Sequence, residues 1–216
     1  MDLARLQRNI RQTLSEARLI ETGLPLIPDI LLYLIDPFNL HRMFSTDETR
    51  KIIRNAPYWS FCWASGQALG AYIVKQKELI RGRKILDFGS GSGVVAIASA
   101  RAGAQKVIAC DSDYHAIEAI KSNANLNRVA IETIRSLNEL DGKVDMILVS
   151  DLLYDSDNFS FLDILFDYTD EILLADSRIK NLQHPRYQEI DNIKAETIPD
   201  LKEGAEFNHV RIYKGS

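Results

Sequence analysis

The sequence predicts an α/β protein built on a mostly parallel sheet covered on both faces. Three observations carry that reading. From Lys84 onward, short apolar runs alternate with helical patterns. Most of those runs, KILDF, KVIAC, VDMILVS and EILLAD, are almost continuously apolar, as strands buried on both faces must be. The last two runs, IKAETI and FNHVRIYK, are joined by the short loop DLKEGAE. A loop that short cannot carry a parallel crossover, so these two strands should pair antiparallel.

The elements follow in order. Residues 2–20 read as an amphipathic helix, with Leu3, Leu6, Ile10, Leu14 and Ala17 at three- and four-residue steps and Arg5, Arg8, Arg11 and Arg18 around them. Gly23, Pro25 and Pro28 break it, and residues 29–56 have no dominant period. Residues 1–56 are therefore expected to form an N-terminal helical extension or cap, and residues 57–216 the main domain. A helix from about Ser65 leads to a turn at Gly82. KILDF then opens the alternation, followed by a helix at 92–102, KVIAC, and a helix at 113–126. AIETIR is a short third strand and VDMILVS the fourth. A helix at 158–168 precedes EILLAD, residues 179–189 read as helical, and IKAETI and FNHVRIYK close the sheet.

The bulk numbers agree with one domain plus a small extension. The chain has 216 residues, 46% of them hydrophobic, with a net charge of −4 and a pI near 5.6. That mild acidity does not suggest a nucleic-acid or membrane-surface partner. Cys62 and Cys110 lie in apolar surroundings and read as reduced core cysteines of a cytoplasmic protein. The apolar stretch LPLIPDILLYLI holds two prolines and an aspartate and is too short to span a bilayer. The four histidines stand singly, so no metal site is expected.

The first strand ends at Asp87-Phe88 and runs into Gly89-Ser90-Gly91-Ser92-Gly93. Glycines there allow a tight turn and close approach of a ligand, and the following helix N-terminus offers free N–H groups. Such a loop holds a pyrophosphate or an amino-acid carboxylate. The dinucleotide pattern GxGxxG fails at its third position, which is Val94, and no GK[ST] follows. Asp111 ends the second strand, 22 positions after Gly89, where a carboxylate can accept from a ribose diol. Asp113 reads as the N-cap of the next helix. An NAD-type nucleotide-binding module remains one reading of these residues.

Taken together, DFGSGSG, ACDSD and AIKSNANLN resemble the class I S-adenosylmethionine-dependent methyltransferases over about residues 84–175. The resemblance implies a Rossmann-like doubly wound sheet of seven strands in the order 3-2-1-4-5-7-6, strand 7 antiparallel. It implies S-adenosyl-L-methionine as cofactor, with S-adenosyl-L-homocysteine as product. The cofactor-binding roles fall on Asp87, Gly89, Ser90, Gly91, Gly93, Asp111, Ser112, Ser136 and Ser150. The loop RSLNEL after strand three has no aspartate for the adenine amine, which leaves Ser136, Asn138 or backbone groups to meet it.

Two further stretches narrow the family. Trp59, Phe61, Trp63, Gly66, Gln67, Ala68 and Leu69 precede the glycine loop, and Asp151-Leu152-Leu153-Tyr154 follows strand four. Together they resemble the seven-β-strand lysine methyltransferases of the electron-transfer flavoprotein β subunit, a pattern also labelled nicotinamide N-methylase-like in bacteria. Those relatives often carry Pro-Gly-Gly where this chain has Ala64-Ser65-Gly66. The resemblance implies an N-methyltransferase acting on a lysine of a cytosolic protein, with the electron-transfer flavoprotein β subunit or a ribosomal protein as partner. A small-molecule N-methyltransferase with a nicotinamide-like substrate is the alternative. The implied catalytic pair is Asp151 and Tyr154, with Trp59 and Trp63 covering cofactor or substrate. Asp155 and Asp157 would make that rim acidic and favour a lysine-rich segment.

Overall fold

The structure, a computed structural model, describes residues 2–40 and 42–216. His41, one of the four isolated histidines, lies outside the described residues. The chain opens with α1 (Asp2–Thr13), which buries Leu6 and Ile10. The helix stops short of its predicted end at residue 20. Ser15 turns there, and its backbone N–H and hydroxyl both donate to the Glu48 carboxylate, at 3.1 and 3.0 Å.

The segment 19–35 differs from expectation. It is an antiparallel hairpin of β1 (Leu19–Leu24) and β2 (Ile27–Ile35), closed over Pro25. Ile30, Leu32 and Leu34 are buried, so a period of two is present. Leu31 and Tyr33, apolar or aromatic on the other face, hide it in the sequence. The N-terminal extension is thus helical at its ends and β in its middle, since α2 (Thr46–Arg54) follows. Ser45 and Glu48 form a capping box at the start of α2, and Arg42 pairs with Glu48 at 2.6 Å. The Glu48 carboxyl is held far below its ordinary range, first by the Arg42 hydrogen bond and next by the Ser45 amide.

The remaining elements are α3 (Ala64–Lys75), β3 (Lys84–Phe88), α4 (Val94–Arg101), β4 (Lys106–Cys110), α5 (Tyr114–Leu126), β5 (Glu132–Ile134), β6 (Met146–Ser150), α6 (Phe161–Ile164), β7 (Ile172–Asp176), β8 (Tyr187–Lys194) and β9 (His209–Gly215). The large sheet has the order β5-β4-β3-β6-β7-β9-β8. Counted without the hairpin strands, that is the expected 3-2-1-4-5-7-6. β9 runs antiparallel to both β7 and β8, and the other pairings are parallel.

Two C-terminal assignments change. The helix expected at 158–168 is present as helical chain over 156–167, but only α6 is α-helix, with 3-10 helix on either side of it. No helix forms at 179–189; β8 begins at Tyr187, ahead of IKAETI, and Ile198 leaves the sheet to bridge Cys62. β8 is an edge strand that bulges between Glu189 and Asp191 and carries its apolar residues Tyr187, Ile190 and Ile193 at three-residue steps, which resembles a helix surface in sequence.

The hairpin shares its core with the sheet. Leu24, Ile27, Ile30, Leu32 and Leu34 join Ile85, Met146 and Leu173 in one apolar cluster. The motif NANLN explains how the open edge of β2 is satisfied. Asn123 and Asn127, one turn apart on α5, accept from Tyr33 N (2.8 Å) and Leu31 N (3.1 Å). Asn123 also donates to Ser92 O at 2.8 Å, which ties the hairpin's anchor to the glycine loop. Gln67 works in the same way. It accepts from Leu26 N at 3.0 Å and donates to Glu196 O at 2.8 Å, clamping the hairpin turn to the far end of the chain.

Candidate active site

Strand order reverses at β3, whose neighbours are β4 on one side and β6 on the other, both parallel to it. Open α/β sheets bind ligands at such a switch point, beyond the carboxyl ends of the strands. Here that crevice opens into a cavity of about 1050 Å³. Its wall includes Trp59, Trp63, Gly89, Ser90, Gly91, Asp111, Ser112, Ser136, Ser150, Asp151 and Tyr154, so most of the expected site residues meet in one place.

Asp87 and Gly93 do not lie on that wall. Gly93 begins α4 at φ +84, and a Cβ there would sit 3.3 Å from the Ile120 Cα. Close packing of α5 requires glycine at that position. Gly91, at φ +52, faces open space instead, and there the backbone is bare toward the cavity. Asp87 is buried behind the loop. One of its oxygens accepts from the Ser90 hydroxyl (2.5 Å) and from Ala96 N (3.0 Å), and the other has no partner. Burial pushes its carboxyl up to about 7 against the pull of those two hydrogen bonds.

Asp111 stands at the end of β4. Its two oxygens accept from Gly91 N and Asp113 N, each at 2.9 Å, so it braces the glycine loop and the start of α5 together. Burial raises its pKa, with the two amides opposing. Asp113 caps α5 by accepting from His115 N at 2.8 Å, as its position in the sequence suggests. Across the cavity, the Ser136 hydroxyl accepts from Asn138 N, and Arg135 donates to Ser112 O at 2.9 Å.

Asp151 follows β6 with a left-handed backbone, φ +51, a conformation aspartate tolerates better than most residues. Its carboxylate reaches across the fold to α3, accepting from Ser65 N at 3.1 Å and the Ser65 hydroxyl at 2.5 Å. It is both a helix cap and a cavity wall residue, which joins the two readings of a carboxylate there. Ser65 is also one of the positions where the chain departs from Pro-Gly-Gly; the glycine of that pattern would keep the amide donor to Asp151 but not the hydroxyl. Burial pushes the Asp151 carboxyl up to about 7; the Ser65 hydrogen bond opposes this and the Asp176 charge adds to it.

Asp176, at the end of β7, was not singled out by the sequence. It is buried and accepts from Leu153 N, Arg178 N and Ile179 N at 3.3, 2.7 and 2.9 Å, fixing the loop between Asp151 and Tyr154. Its place at the carboxyl end of a core strand was the signal that could have found it. The mouth is aromatic. Tyr58 lies 5.7 Å from Trp63 and 5.8 Å from Tyr154, ring centre to ring centre. Trp59 is buried against α1 and α5, 6.5 Å from His115, and shows only an edge to the cavity.

The electrostatics select among ligands. Asp87, Asp111 and Asp151 are all pushed upward by burial around one cavity. Of the three arginines on the wall, Arg178 is held by Glu203 at 2.7 Å, Arg135 donates to a carbonyl, and Arg54 is exposed at the end of α2. A diphosphate would add negative charge to this set, whereas a ligand carrying sulfonium and ammonium groups would relieve it. Among the described residues no cluster of metal-ligating side chains occurs, and no helix is long and apolar enough to cross a membrane.

Comparisons with known proteins agree with this geometry. Residues 67–155 match the family model described as ribosomal protein L11 methyltransferase (PrmA). The electron transfer flavoprotein beta subunit lysine methyltransferase of Mus musculus is 41% identical over 104 residues, covering 47% of this chain and 41% of the relative. That of Homo sapiens is 33% identical over 157 residues, covering 70% and 58%. The chain thus spans about half the length of the curated relatives it matches. Ribosomal protein L11 methylase from Lactobacillus delbrueckii superposes with a TM-score of 0.52 at 21% identity, covering 70% of this chain and 77% of that one. A Thermus thermophilus 16S rRNA methyltransferase, solved with AdoMet and guanosine, gives 0.58 at 14% identity, covering 93% and 50%. Strand order, glycine loop, acidic strand ends and these similarities together give the chain the seven-strand fold of the class I S-adenosylmethionine-dependent methyltransferases.

Proposed function

We propose that this chain is an S-adenosylmethionine-dependent N-methyltransferase whose acceptor is a protein lysine. The observation that carries the reading is the meeting, in one cavity, of the bare Gly91 backbone, Asp111 and the Asp151-to-Tyr154 loop. The cavity suits the cofactor on the grounds already given: its size, its open glycine backbone and its surplus of buried carboxylates. Asp111 would hold the ribose hydroxyls, the glycine loop the methionine end, and Ser136 and Asn138 the adenine side. When bound, the cofactor supplies an electrophilic methyl group.

The chain's own residues prepare the acceptor. An unperturbed lysine has a pKa near 10.4, so its deprotonation at pH 7 costs about 4–5 kcal/mol. An aromatic mouth of Tyr58, Trp63 and Tyr154 strips water from an entering amine, which lowers that cost. The Asp151 carboxyl, raised to about 7, is matched to accept a proton near neutral pH or to orient the amine by hydrogen bonding. Asp176 holds the loop that presents it. Catalysis of this kind rests on positioning and electrostatics.

The relatives named as lysine methyltransferases of the electron transfer flavoprotein beta subunit support that subunit as first candidate acceptor, and the L11 relatives support a ribosomal protein as second. The test uses methyl-labelled S-adenosylmethionine, the purified protein and a cell extract separated by size. Label in a protein band is the expected outcome. Label confined to the small-molecule fraction would replace the lysine reading with the nicotinamide-like one.

A further inference from the structure

The outer face of α2 runs into the cavity. Phe44, Thr46, Thr49, Arg50, Ile53 and Arg54 line a surface groove of about 450 Å³, and Ile53 and Arg54 also line the large cavity. The two concavities adjoin at these two residues. Ile53 is 80% exposed, a large apolar side chain on the outside of α2, whereas its neighbour Ile52 packs against the core. The carboxylates of α2 are already engaged, Asp47 by Lys51 at 2.8 Å and Glu48 by Arg42. Arg50 and Arg54 are exposed, and neither enters an ion pair among the described residues.

The opposite side of the mouth has the other sign. Beyond Tyr154, Asp155 and Asp157 are exposed, and the Asp155 charge is close enough to help raise the Tyr154 hydroxyl pKa, after burial and Tyr58. The entrance is therefore cationic and apolar along α2 and anionic at the β6 loop.

We propose that the α2 groove docks the stretch of protein substrate beside the methylated lysine, and that this stretch carries an acidic and an apolar side chain. The inference rests on the protein-lysine reading above. A lysine directed to Asp151 passes the anionic side of the mouth. Its flank then lies on α2, where a carboxylate meets Arg50 and Arg54 and an apolar side chain covers Ile53 and Phe44. Single exposed ion pairs are weak, but two like charges at the edge of a site steer the partner and fix its register.

The test pairs two lysine peptides, one flanked by aspartate and leucine, the other by lysine and serine. The wild-type protein should favour the first by roughly tenfold in kcat/KM, expressed in KM, as expected for steering by two charges. The double variant Arg50→Glu/Arg54→Glu should lose or invert that preference, the change falling in KM, and S-adenosylhomocysteine should raise its Tm as in the wild type. Ile53→Ser should weaken the first peptide selectively. Equal use of both peptides by the wild type, or equal loss on both by the double variant, overturns the docking surface and leaves the lysine reading standing. If the wild type labels neither peptide nor any protein in an extract while S-adenosylhomocysteine still raises its Tm, the lysine reading falls and this inference falls with it.

Discussion

Replacing Asp87 with asparagine isolates the cost of the carboxylate behind the glycine loop. Asparagine keeps an acceptor for Ser90 and Ala96 and puts a neutral group where the unpartnered oxygen lies. In the folded wild type the carboxyl titrates near 7, against about 3.9 in an unfolded chain. The shift is upward, so its stabilising contribution is complete below about pH 4 and is lost as pH rises to about 7. The loss runs at about 1.4 kcal/mol per pH unit, on the order of 4 kcal/mol in all. The variant lacks this titration. Its stability relative to wild type should therefore rise by roughly 3 kcal/mol between pH 5 and pH 8, or about 5–10 °C in Tm for a chain of this size. Asp151 titrates in the same direction but is present in both proteins, so it cancels in the difference. The assay is a set of urea and thermal unfolding curves at the two pH values, without ligand. Parallel pH dependences for the two proteins would refute the reasoning.

Other expectations concern the cavity. Asp151→Asn should lower turnover by about 10²–10⁴-fold and remove the rise in rate near pH 7, with cofactor affinity nearly unchanged, and equal losses in both would reject its role at the acceptor. Asp111→Ala should weaken S-adenosylhomocysteine binding by about tenfold or more in calorimetry, the worth of charged hydrogen bonds; an unchanged Kd would dismiss the ribose assignment. The two loop glycines should separate: Gly93→Ala should cost stability, about 1–3 kcal/mol by denaturation, because of its positive φ and the nearby Ile120. Gly91→Ala shares the strain of a positive φ but meets nothing within 4 Å of its Cβ position, so it should cost less stability than Gly93→Ala and act chiefly on ligand affinity. Matching stability losses for the two would contradict that division.

Much of this molecule was legible because it rests on local, repeated patterns. Strands buried on both faces must be continuously apolar, so KILDF, KVIAC, VDMILVS and EILLAD declare themselves. The short loop before β9 forces an antiparallel turn, and acids at strand ends mark the crevice. The hairpin at 19–35 and the edge strand β8 escaped notice because each is satisfied by distant partners. The hairpin rests on Asn123, Asn127 and the shared core, and β8 exposes one face to water. Local propensity carries no trace of such contacts.

The sequence by itself determined most of the strands, the antiparallel last pair and the residue types that gather at the crevice, and its resemblance to a known family implied the sheet order. Only the tertiary structure decided what each residue does. Asp87, near the end of β3, and Gly93, at the start of α4, flank Gly91 yet face protein rather than cavity, because a strand-to-helix turn sends nearby residues in different directions. Asp151 meets Ser65, and Asp176 grips the loop after β6, across separations in sequence that chain folding alone closes. Burial of several carboxylates about one cavity, which sets its charge preference, exists only once the sheet has brought β3, β4 and β6 side by side.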